Sequence, residues 1–79
     1  MNGFEVTIVR IGAGQGRHFY RLWAYIPGKP GYWWGTRGRG WLPACQDNMR
    51  HYKRYKSYDS AEQVVQLAQQ CPLPSEVIA

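Results

Sequence analysis

The sequence predicts a single α+β domain over residues 1–79: an antiparallel β-meander of three to five strands, with one C-terminal helix packed on one face. Three observations predict it. Residues 4–26 hold two alternating runs of β-branched and aromatic residues on either side of a glycine-rich turn. Residues 31–41 read as a further hairpin. Residues 60–71 carry apolar side chains every three or four positions, the spacing of an amphipathic helix, and Pro72 ends the pattern. A chain of 79 residues buries only roughly 60–65% of the surface its unfolded form exposes, so deep clefts are not expected.

The first strand is expected over residues 4–11, with Phe4, Val6 and Ile8 on one side and Thr7, Val9 and Ile11 on the other. Its β-branched content suggests a central position in the sheet. Gly12, Gly14 and Gly16 then form a hairpin turn. Their spacing resembles a dinucleotide loop superficially, but such a loop opens a helix, whereas residues 18–21 read as strand. The second strand, 18–26, sets His18, Tyr20, Leu22, Ala24 and Ile26 against Phe19, Arg21, Trp23 and Tyr25. With aromatics on both faces, it is expected to be covered on one side and used for contact on the other. Pro27, Gly28, Lys29, Pro30 and Gly31 supply the second reversal.

The third hairpin is expected to run from Tyr32 to Thr36, turn through Arg37, Gly38, Arg39 and Gly40, and return at Trp41. Leu42, Cys45, Met49 and Tyr52 then change period to that of a short second helix, with Pro43 in its first turn, although Asp47 and Asn48 fit a turn equally. Residues 50–56 form an extended basic run. The last helix can be capped by Ser57 or by Asp59, which with Glu62 has capping-box spacing. Ala61, Val64, Val65, Ala68 and Cys71 share the face expected to lie on the sheet. Residues 76–79 suggest a short edge strand.

Ten Lys and Arg against five Asp and Glu give a net charge of +5, which favours an acidic partner. Four Trp in a chain that is 15% aromatic must in part form core, because indoles bury large areas. The expected binding surface comprises Arg21, Trp33, Trp34, Arg37, Arg39 and Trp41 together with Arg50, Tyr52, Lys53, Arg54 and Lys56. The two hairpin arginines are placed at a solvent-facing tip beside outward indoles. Cations that follow phosphates beside rings that stack on bases are what single-stranded nucleic acid requires, each stack contributing about 1–3 kcal/mol. An ordinary basic surface over an aromatic core would give the same composition. Bidentate guanidiniums would serve equally against carboxylates on an acidic protein.

Other chemistries are less well served. His18 and His51 could act as acid and base in a small ribonuclease, but their spacing does not bring them together. Cys45, Cys71 and the two histidines lack the close pairing of a structural zinc site, so neither metal nor cofactor is expected. The cysteines read as reduced, mostly buried thiols, with a single bridge as the other reading. The five carboxylates show no pair placed for hydrolysis. No leader pattern and no spanning segment is legible, so the expectation is a cytoplasmic protein without membrane contact, monomeric or homodimeric.

Tyr55, Lys56, Ser57, Tyr58, Asp59, Ser60, Ala61 and Glu62 place an aromatic, a cap and an alanine at the start of an amphipathic helix that follows an antiparallel meander. In this the chain resembles the small α+β proteins encoded by phages and mobile elements, among them the anti-CRISPR inhibitors. The resemblance implies a non-enzymatic protein that occupies a surface of a nucleic-acid-handling complex. It assigns no residue roles. Many such inhibitors are acidic and imitate DNA, whereas the positive charge here favours docking on an acidic protein patch, or on DNA or RNA directly.

Overall fold

The computed structural model describes residues 4–28 and 31–74. Its four strands are β1 (Glu5–Gly14), β2 (Arg17–Tyr25), β3 (Tyr32–Trp34) and β4 (Trp41–Pro43). They are followed by a 3₁₀ helix (Gln46–His51) and an α-helix, α1 (Tyr58–Gln70). The strands form one antiparallel sheet in the order β1-β2-β3-β4, which is the expected α+β meander. Among the described residues that order puts β1 at an edge rather than at the centre. Its β-branched residues gain their cover from β2 and α1, not from strands on both sides. Residues 76–79 and two residues of the second turn, Lys29 and Pro30, lie outside the described residues.

The β1–β2 and β3–β4 hairpins close with positive backbone angles. Gln15 and Gly16 stand at φ 54° and 73°, and Arg37 and Gly38 at the same two values. In the β3–β4 hairpin Arg39 N donates to Thr36 O at 3.1 Å, so Arg37 and Gly38 occupy the two central positions of a type I′ turn. The expected turn is therefore present.

Strand pairing decides what faces what. Val6 pairs with Ala24, Ile8 with Leu22, Ala24 with Tyr32, and Trp34 with Trp41. Directly paired residues share a face, so these side chains all point the same way, and α1 covers them. The core on that side is Phe4, Leu22, Ala24, Tyr32, Trp34, Trp41, Ala61 and Ala68, with Val6, Ile8, Tyr20, Tyr55, Val64, Val65 and Cys71 packed around it. Small residues let the helix approach closely. Trp41 is 2% exposed; its indole N–H donates to Ala68 O at 3.0 Å and its ring meets Phe4 edge-on and Trp34 at 5.1 Å.

The helix begins at Tyr58 because Ser57 caps it, its hydroxyl accepting from Ser60 N at 3.1 Å. Asp59 sits in the first turn, where a carboxylate opposes the positive end of the helix dipole. The expected short helix is shifted. Leu42 and Pro43 belong to β4, and the 3₁₀ helix that follows buries none of its residues; Met49 is exposed. Cys45 is exposed rather than buried, Cys71 is half-buried, and both thiols are free.

Beyond Trp23 and Ala24, β2 and β3 no longer pair, and residues 51–55 enter the gap between them. Tyr20 and Tyr55 exchange two backbone hydrogen bonds at 2.8 Å, Lys53 N donates to Trp34 O at 2.9 Å, and Thr36 N donates to His51 O at 2.8 Å. The Tyr52 hydroxyl fixes the preceding loop, donating toward the Pro43 and Cys45 carbonyls and accepting from Cys45 N. This wedge places residues 51–55, the middle of the basic run, between β2 and β3 rather than beside the sheet.

Trp41→Phe keeps an aromatic ring but removes the indole N–H, leaving the Ala68 carbonyl with Cys71 N as its donor and a gap where the larger ring packed. It should lower unfolding free energy by about 2–4 kcal/mol in urea titrations followed by far-UV circular dichroism. An unchanged midpoint would show that the helix is held by something else.

Candidate nucleic-acid interface

The face of the sheet away from α1 is built by the odd-numbered residues of β2 and their partners. Phe19 pairs with Ile11, Arg21 with Val9, Trp23 with Thr7 and Trp33, Tyr25 with Glu5, and Trp33 with Leu42. None of the described helices packs over these rings. Trp23 and Trp33 lie 4.5 Å apart between centroids, tilted by 55°, and Trp33 continues to Tyr52 at 6.0 Å. Gly31 makes the Trp23 position possible, since a Cβ there would overlap the six-membered ring of the indole.

Arg21 stands in the middle of this face. Its guanidinium carbon lies 5.1 Å from the Phe19 centroid, 5.3 Å from Trp33 and 5.2 Å from Tyr52, a three-ring cation–π cage. Arg54 comes over Phe19 from the wedge at 5.0 Å. Arg21 is only 8% exposed and its Nε has no hydrogen-bond partner. Burial, followed by the Arg54 charge, pushes its pKa below the ordinary arginine value, while Tyr52 pulls the other way.

The expected binding residues therefore separate into groups. Arg21, Trp33, Tyr52 and Arg54 come together on the open face. Trp34 and Trp41 do not: contrary to the expectation of outward indoles, both are core beneath α1, because their places in the pairing give them the opposite face from Trp33. Tyr52, though on the open face, is itself 4% exposed, with the Arg21 guanidinium against its ring, and offers no stacking platform. Arg37 and Arg39 are exposed at the hairpin tip, as expected.

Arg39 and Arg50 both bear on His51, and Arg50 Nε donates to His51 Nε2 at 3.3 Å. Desolvation first, then those two cations, lowers the His51 pKa, so this tip cluster draws its positive charge from arginine at neutral pH. Lys53 turns to the other side of the sheet, its Nζ 5.6 Å from the Tyr55 ring, and Lys56 is exposed just before α1. Phe19 and Trp23 complete the open face and were absent from the expected binding set. Their signal was the alternation of Phe19, Arg21, Trp23 and Tyr25 along β2.

His18 stacks edge-on with Tyr20 near the first turn, while His51 lies by the turn through Arg37 and Gly38, and no contact joins them among the described residues. Among the described residues no group of three or more His, Cys, Asp or Glu is placed to hold a metal ion. No helix among them is long and apolar enough to cross a membrane.

Gly31→Ala should displace the Trp23 indole, destabilise the domain by about 1–3 kcal/mol and shift its tryptophan emission. Wild-type stability and emission would show that Trp23 does not rest on that glycine. Compared with known proteins, the chain matches no family model, no curated protein and no solved structure.

Proposed function

We propose that this protein is a non-enzymatic binding protein that holds single-stranded nucleic acid on the open face of its sheet. The observation that carries this reading is the joining of half-buried rings, Phe19, Trp23 and Trp33, with Arg21 and Arg54 on a face that α1 leaves uncovered. Unstacked bases offer flat partners to such rings, and phosphates answer the cations. A duplex keeps its bases stacked, so only its backbone could engage. The exposed arginines of the hairpin tip extend the positive field without belonging to the ring cluster.

A second reading has the tip docking on an acidic patch of a nucleic-acid-handling complex, as an inhibitor of the anti-CRISPR type would. Arg37 favours it. This arginine holds φ 54°, a left-handed angle that asparagine or glycine adopts more readily, at a position where side-chain packing does not require arginine.

Adding a short oligothymidylate at low ionic strength should quench tryptophan fluorescence. Affinity should fall with salt at a logarithmic slope near −0.7 for each phosphate contacted, and duplex DNA of the same length should bind more weakly. Trp33→Leu, which keeps apolar cover but removes the stacking face, should lose about 1–3 kcal/mol of binding free energy. Absence of binding to any single strand at low salt would refute the first reading. For the second, Arg37→Asn should raise stability by a few tenths to about 1 kcal/mol while weakening capture of an acidic protein partner. Equal capture by the variant would remove the tip from that role.

A further inference from the structure

Arg21 and Arg54 occupy positions where strand pairing ordinarily disfavours two like charges. The Tyr20–Tyr55 bridge is antiparallel, so the next step along it sets Arg21 directly across from Arg54. Both guanidiniums lie over the single ring of Phe19. Cation–π attraction from Phe19, Trp33 and Tyr52 offsets part of the repulsion. No carboxylate among the described residues takes up the remainder. Glu5 shares the face but pairs with Tyr25, four positions along β2 from Arg21.

The Arg21 Nε is a buried charged donor without a partner. Folded proteins seldom keep such a group unless something outside the chain satisfies it.

We infer that Arg21 and Arg54 together form a receptor for a phosphate oxyanion, seated between the Trp23–Trp33 pair on one side and Phe19 on the other. It rests on the single-strand reading above for its source, the phosphodiester of the bound strand. Guanidinium suits such an anion because its planar fork offers parallel donors to two phosphate oxygens, and it stays charged when partly desolvated. Two forks from adjacent extended segments hold one anion from two directions and relieve their mutual repulsion. The flanking rings then take the bases on either side of the bound phosphate, so the site selects a strand whose bases are free to splay.

The test follows the arginine Nε–H resonances of the full chain by nitrogen-15 NMR during three titrations at matched ionic strength, with chloride, inorganic phosphate and a short oligothymidylate. The Arg21 and Arg54 signals should move saturably with the oligonucleotide, less with inorganic phosphate and not with chloride. Arg54→Gln changes an exposed side chain and should leave the fold intact. It should weaken oligonucleotide binding about tenfold and remove about 0.7 from the salt slope, the share of one phosphate contact. Arg37→Gln should leave the Arg21 signal's response unchanged.

If the oligonucleotide binds but Arg54→Gln keeps the full slope and the Arg21 signal stays still, the receptor is refuted while the single-strand reading survives. If inorganic phosphate moves both signals and no oligonucleotide binds, the receptor stands with free phosphate as its ligand and the single-strand reading falls. Stillness of both signals in every titration would make Arg21 a purely structural cation.

Discussion

One helix has to serve a sheet with two faces, and every other feature of this molecule follows from which face it takes. The choice is fixed by Trp41, whose indole reaches across the sheet to the Ala68 carbonyl while its ring packs on Phe4 and Trp34. Ala61 and Ala68, both fully buried, let the helix sit low enough for that bond to form. With α1 packed there, the rings of Phe19, Trp23 and Trp33 stay partly exposed on the other face. A sheet face left in this state is ordinarily polar. Here it is aromatic and cationic instead.

The wedge of residues 51–55 gives that face its charge. By separating β2 from β3 it opposes Arg54 to Arg21 and brings the Tyr52 ring against the same guanidinium. The arrangement is electrostatically unfavourable in isolation, since desolvation and a neighbouring cation both act against the Arg21 charge. The aromatic cage softens the problem without satisfying the Arg21 Nε–H. A strained or unsatisfied group maintained by an otherwise well-bonded scaffold is a recurrent sign of a binding site.

Much of this was legible from residue order. Alternation along β2 announced two different faces, and the glycines around Arg37 and Arg39 announced a tight turn. The spacing of Ala61, Val64, Val65 and Ala68 announced the helix and its buried stripe. What could not be read locally was parity. Trp33, Trp34 and Trp41 look alike in a dense aromatic stretch, yet a one-residue step sends Trp33 outward and Trp34 inward, and the placing of Trp41 depends on the length of the loop joining β3 to β4. The wedge was hidden for a related reason. It pairs residues some 35 positions apart (Tyr20 with Tyr55), and no local period records such a contact. The edge position of β1 likewise follows from connectivity, which β-branched composition does not reveal.

The four indole N–H resonances are the most direct witness to a molecule with one sealed aromatic face and one open one. In a proton–nitrogen correlation spectrum, addition of oligothymidylate should shift the Trp23 and Trp33 signals and leave those of Trp34 and Trp41 in place, with the Trp41 proton exchanging slowest with solvent. Shifts concentrated at Trp34 and Trp41, or fast exchange at Trp41, would contradict the assignment of the two faces.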